Sequence, residues 1–141
     1  MKYEFFMNMT PPTVTHQEKR VTVKNGKPIF FEDTALKNAR ASFMANLARF
    51  RPAEPMRGAV RLLTKWCFAG KTAEPRYKIT KPDTDNMIKL LKDCMTRSGF
   101  WADDAQVAEL PQGNSLRSTE KFVVPNRPGI YVYVEEMEVK E

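Results

Sequence analysis

Two short acidic stretches hold the residues best placed for chemistry, Lys81-Pro82-Asp83-Thr84-Asp85-Asn86 and Asp103-Asp104. Around Pro82, ahead of a helix, extended backbone is expected. At a period of two the carboxylates of Asp83 and Asp85 then face the same side. Two converging carboxylates make a hard-oxygen site suited to Mg²⁺, which keeps several waters and can also take a substrate phosphate. Taken alone, the pair reads more readily as helix caps favoured by the dipole. Lys89 follows Asp85 by one turn, within reach of a phosphate held there, although Asp85, Lys89 and Asp93 could also form an exposed ion-pair ladder.

Asp103-Asp104 adds a second acidic group after the same helix. Adjacent carboxylates repel unless something cationic compensates, and a bound metal is one such compensation. Successive strand residues point to opposite faces, so one member of the pair is expected to join Asp83 and Asp85. The competing reading is an acidic turn between helix and strand.

The rest of the chain is basic. Lys and Arg outnumber Asp and Glu by 23 to 17, for a formal charge of +6 and a pI near 9.4. Such a balance suits a polyanion, whose neutralised phosphates release counterions, though solvated surface lysines alone would give the same sum. A basic chain that gathers aspartates in one region is expected to bind a cation there and a polyanion around it.

The elements that must position these residues follow from periodicity. Tyr3 to Met9 reads as a first strand ended by Pro11-Pro12. Asn25-Gly26 reads as the turn of a hairpin carrying Lys19, Arg20, Lys24 and Lys27 on a projecting ribbon. Leu36, Ala39, Phe43, Leu47 and Phe50 predict a helix from Asp33 or Thr34 to about Phe50, and Ala59 to Ala69 a central strand. Lys71, Arg76, Lys78 and Lys81 crowd a basic loop. A helix from about Asp85 to Ser98 has Met87, Ile88, Leu90, Leu91, Cys94 and Met95 on its apolar arc, with Gly99 ending it in αL geometry. Phe100-Trp101 leads through the acidic pair into a strand from Val107 to Leu110. The last strand runs from Gly129 to Val134, and Glu135 to Glu138 reads as solvated tail.

At 141 residues, with 42% hydrophobic and 28% charged, one ordinary folded domain spanning 1–141 is expected. Cys67 and Cys94 lack metal or disulfide spacing and read as buried, reduced thiols. No run approaches the roughly 20 apolar residues that span a bilayer, and no signal peptide is evident. These features predict a cytoplasmic protein without membrane contact. His16, the single histidine, reads as a loop residue.

From Lys81 to Leu110 the chain resembles the RusA family of Holliday-junction resolvases, through Pro82-Asp83-Thr84-Asp85-Asn86, Lys89 and Asp93, then Gly99-Phe100-Trp101-Ala102-Asp103-Asp104-Ala105-Gln106-Val107. Pro11-Pro12-Thr13 and the basic ribbon match the family's opening more weakly. The resemblance implies an α+β domain, a mixed sheet packed on two main helices, working as a homodimer. It further implies Asp83, Asp85 and Asp104 as metal-holding catalytic acids, Lys89 as the essential basic residue of the helix, Mg²⁺ or Mn²⁺ as cofactor, and four-way junction DNA as substrate in a bacterial or phage-infected cell. Asn86, Asp93 and Asp103 are expected to support the acids. Lys19, Arg20, Lys24, Lys71, Arg76, Lys78 and Lys81 are expected on backbone phosphates. A non-catalytic branched-DNA binder, or a nuclease for flaps or forks, are the alternatives. Phe100 and Trp101 are expected in the core, with a branch-point wedge or a dimer contact as the other options.

Overall fold

A computed structural model describes residues 2–14, 19–24, 26–32, 34–108 and 119–137. Strand β1 (Lys2–Met7) is followed by the hairpin β2 (Lys19–Lys24) and β3 (Lys27–Glu32), helix α1 (Thr34–Leu47), and the long strand β4 (Ala59–Ala69). The short strand β5 (Arg76–Tyr77), helix α2 (Thr84–Ser98), β6 (Thr119–Val124) and β7 (Gly129–Met137) complete the chain. Five strands form one sheet in the order β1-β7-β4-β6-β5. The β4–β6 pair is parallel and the other pairs are antiparallel, so the sheet is mixed and the domain is α+β as expected.

Alternation along the strands decides which face is covered. On β4, Val60, Leu62, Thr64, Trp66 and Phe68 are buried, and on β7 Ile130, Val132 and Val134. They meet Leu36, Ala39, Phe43 and Leu47 of α1 and the predicted apolar arc of α2 in one core, where Phe43 packs edge-on to Trp66 with ring centroids 5.9 Å apart. Burying a side chain of that size stabilises by about 1.5–3 kcal/mol. The one polar hydroxyl on this stretch of β4, Thr64, accepts from the Trp66 indole N–H at 2.9 Å. Gly129 is required by close approach: a Cβ there would lie 2.5 Å from the Met7 carbonyl oxygen.

The structure departs from the sequence reading in four places. Strands β5 and β6 were not expected. The acidic residues Glu135 and Glu136 continue β7 to Met137, because the antiparallel register with β4 runs on to Ala59. The Glu136 carboxylate accepts the backbone N–H groups of Arg57 at 2.7 Å and Gly58 at 2.9 Å. Cys67 is half-buried, on the strand face opposite the core, while Cys94 is buried; both are free thiols. Instead of a strand, Val107 makes one isolated bridge to Val60; 109–118 lie outside the described residues, as do His16, Asn25, Asp33 and Glu138. Lys19, Arg20 and Lys24 fall on β2, but their side chains are outside the described set.

Candidate active site

The first acidic group sits where α2 begins. Asp83 is extended (φ −70°, ψ 145°), and its carbonyl accepts the Met87 N–H at 3.0 Å, which makes it the N-cap residue by backbone. Its carboxylate, however, makes no capping hydrogen bond. Asp83, Asp85 and Lys89 are exposed, and among the described residues no hydrogen bond or ion pair engages their charged groups. The ion-pair ladder is therefore not formed and the capping role falls to the backbone alone. Two hydrated carboxylates stand at the positive end of the helix dipole with a lysine one turn further on, an arrangement that can accept a hard cation and the phosphate it binds.

The second acidic group is held in a dense hydrogen-bond web. Gly99 takes the αL conformation (φ 90°) and turns the chain back, letting Phe100 and Trp101 enter the core at 0% and 1% exposure. That burial removes them from any wedge role. A single 3-10 turn, Asp104–Gln106, follows, capped by Asp103, whose carboxylate accepts the Ala105 N–H at 2.8 Å. Gln106 accepts the N–H groups of Ala102 and Asp103 and donates to the carbonyls of Met56 at 2.8 Å and Gly58 at 3.0 Å. Asp103 thus takes the turn-forming role, and only Asp104 is left with a carboxylate directed elsewhere. The Asp104 carboxylate accepts from the Thr96 hydroxyl, which itself accepts the buried Trp101 indole N–H at 2.6 Å. The single hydroxyl proton of Thr96 has a second acceptor, the Lys92 carbonyl at 3.0 Å. Asp104 is in this way tied to the last turn of α2.

The two groups share one stripe of α2 but stand at its opposite ends. Thr96 follows Asp85 by three helical turns with almost no net rotation, a separation of about 16 Å along the axis. Lys89 and Lys92 occupy the same stripe between them. Among the described residues no three His, Cys, Asp or Glu side chains form a group that could hold a metal. Asp83 and Asp85 fit a cation as part of its donor set, and within one chain Asp104 does not complete it. The convergence of all three expected from the sequence is therefore not seen within one chain among the described residues.

Asp93 is committed elsewhere. Its carboxylate pairs with Arg40 of α1 and with Arg97 Nε at 3.4 Å, tying the helices together away from Asp83 and Asp85. Asn86 is half-buried beside Asp85. Lys71, Arg76 and Lys81 are exposed along the segment that leads into Asp83, and β5 lies at the outer edge of the sheet. Lys78 is half-buried, with Nζ 2.8 Å from the Thr80 hydroxyl. Two residues that hold the second group were given no role in the sequence reading, Thr96 and Gln106, although Gln106 stands in the family motif at 99–107. Thr96 could have been found from its place on the Asp85 stripe.

Among the described residues no helix is long and apolar enough to cross a membrane. The model of the family described as endodeoxyribonuclease RusA matches residues 10–135. A crossover junction endodeoxyribonuclease rusA from Lactococcus phage r1t is 30% identical over 114 residues, which cover 78% of this chain and 86% of the phage protein. The matched region contains both acidic groups, all of α2, strands β4, β5 and β6 and most of β7. The chain belongs to the RusA family of endodeoxyribonucleases, enzymes that hydrolyse the phosphodiester bonds of DNA.

Proposed function

We propose that this chain resolves four-way DNA junctions as a two-fold homodimer, with Mg²⁺, or Mn²⁺ in its place, held by Asp83 and Asp85 of one copy and Asp104 of the other. Endonucleases of this type require a divalent metal. The observation that carries the proposal is the stripe on α2, with Asp83 and Asp85 at one end and Asp104, through Thr96, at the other. A two-fold axis crossing the helix between Lys89 and Lys92 would set two α2 helices antiparallel and bring the acids of one copy to Asp104 of its mate. Closed point symmetry of this kind yields two equivalent sites, which suits matched nicks on opposite strands of a junction.

In this reading the protein groups have separate tasks. Asp83 and Asp85, unengaged and exposed, bind the ion, and Asp104 arrives already oriented by Thr96 and Trp101. When bound, a divalent ion supplies charge that polarises the phosphodiester and makes water a stronger nucleophile. Lys89 stabilises charge on the phosphoryl oxygens, leaving 5′-phosphate and 3′-hydroxyl ends. Lys71, Arg76, Lys78, Lys81 and the β2 cations Lys19, Arg20 and Lys24 hold backbone phosphates, which fixes register without reading bases. The enzyme would act in the cytoplasm, where recombining or replicating phage and bacterial DNA is found.

The test is a labelled four-way junction incubated with the protein in Mg²⁺ and in EDTA, beside duplex, flap and fork controls. Paired, metal-dependent nicks confined to the junction are expected. Metal-independent binding without nicks would make the chain a branched-DNA binder, and preferential cutting of flaps or forks would reassign its substrate.

A further inference from the structure

Lys121 lies on β6, hydrogen-bonded through its strand to the long central strand β4. Its ammonium donates to two carbonyl oxygens, those of Thr80 and Pro82, each at 2.7 Å. Its own carbonyl accepts the Lys78 N–H at 3.0 Å. One strand residue therefore tethers the segment 78–82 three times. The Pro82 carbonyl belongs to the peptide bond that begins Asp83, so the ammonium stands beside the backbone from which the first metal-binding candidate projects. An ammonium is a donor only, and charge-assisted bonds of this length are about twice as strong as neutral ones. Among the described residues no carboxylate pairs with Lys121.

We propose that Lys121 is a positioning residue for the reaction: its ammonium clamps the carbonyls of Thr80 and Pro82 and so holds Asp83 in the extended geometry that lets it share a cation with Asp85. This rests on the metal-site reading above. The segment it fixes has little else to hold it in place. It is exposed at Ile79, Thr80 and Lys81, and apart from Lys121 it is held by the local bond from Lys78 Nζ to Thr80, by the Lys78 ammonium 5.1 Å over the Phe68 ring, and by the burial of Pro82. The Asp83 carboxylate has no capping bond that would orient it instead. Without the clamp, Asp83 would sample several directions and the ion would have to select one of them. Affinity would then fall by the fraction of chains in the competent state.

The experiment compares the full-length wild type with Lys121→Met, which keeps the aliphatic length and loses the donors, and Lys121→Arg, which restores a cation with several donors. Mn²⁺ binding to the DNA-free protein is followed by the electron paramagnetic resonance signal of free Mn²⁺, beside junction binding in EDTA and the thermal midpoint. The expected result is roughly tenfold weaker Mn²⁺ binding in Lys121→Met, at least half of that loss recovered in Lys121→Arg, with junction binding and Tm near wild type. Equal Mn²⁺ affinity in wild type and Lys121→Met would overturn the proposal. So would a loss that follows a fallen Tm and is not recovered by Arg, since Lys121 would then serve the fold alone. A wild type that binds no Mn²⁺ at all would instead refute the metal-site reading on which this rests.

Discussion

The two acidic groups of this chain are built in opposite ways. At the start of α2 the carboxylates of Asp83 and Asp85 are exposed and free of partners among the described residues. After Gly99, Asp103 and Asp104 are both engaged, one in a capping box and one on the Thr96 hydroxyl. A carboxylate already satisfied by N–H and O–H donors gains less from a cation than one facing water, and it is better oriented. On the proposed function, the contrast would separate a binding pair from a pre-aimed third ligand, and adjacent aspartates at the second group need not both serve the metal.

That contrast makes the first group the more damaging one to alter. Asp85→Asn should reduce junction cleavage by about 10³-fold or more, while a gel shift in EDTA stays near wild type, because the substitution removes metal-directed charge and no phosphate contact. Wild-type nicking in this variant would remove Asp85 from the site. Lys89→Ala should lower cleavage by about 10²–10³-fold with binding retained; a defect mainly in binding would move Lys89 to the docking surface.

Changes around the second group should be graded. Thr96→Val removes the hydroxyl that orients Asp104 and leaves the buried Trp101 indole N–H unpaired, so cleavage should fall about 10–100-fold and stability by about 1–3 kcal/mol. Thr96→Ser should recover both. Asp103→Ala breaks the cap and should cost about 1 kcal/mol, seen as a small fall in Tm with cleavage changed by less than the Thr96 variant. If Asp103→Ala abolished cleavage instead, the separation of roles within the pair would be lost.

The smallest effect is expected at Glu136, which bonds to neither acidic group directly. The N–H groups of Gly58 and Arg57 hold its carboxyl below the ordinary 4.5. Because the folded value is depressed, its contribution is present above pH 4.5 and disappears as pH falls through the folded value. Glu136→Gln should therefore lower Tm modestly at pH 7, with the gap to wild type closing in more acidic buffer. A gap independent of pH would assign the effect to packing and not to charge.

Much of the frame was legible from local pattern. The alternation in Ala59–Ala69, the apolar arc of α2 and the αL glycine at its end are each short-range signals, and each matches the structure. Strand β6 was not legible: Thr119, Glu120 and Lys121 leave only the short apolar run Phe122-Val123-Val124, and its parallel partner β4 lies about fifty residues earlier, a pairing no local period encodes. The same holds for the end of β7, where acidic composition suggested tail while the register with β4 continued. At the site, the residue types and the helix stripe could be read directly. Which end of α2 Asp104 would meet depended on the turn after Gly99 and on a hydroxyl set by Trp101, both products of tertiary packing.

The central claim, that each site draws Asp83 and Asp85 from one copy and Asp104 from the other, can be tested by complementation. Asp85→Asn and Asp104→Asn proteins, each inactive alone, are mixed under conditions of subunit exchange and assayed on a four-way junction with Mg²⁺. In the mixed dimer one site would carry both substitutions and the other none, so nicking of a single strand should reappear. A mixture as inactive as its two parents, with exchange verified, would contradict the shared site and return all three acids to one chain.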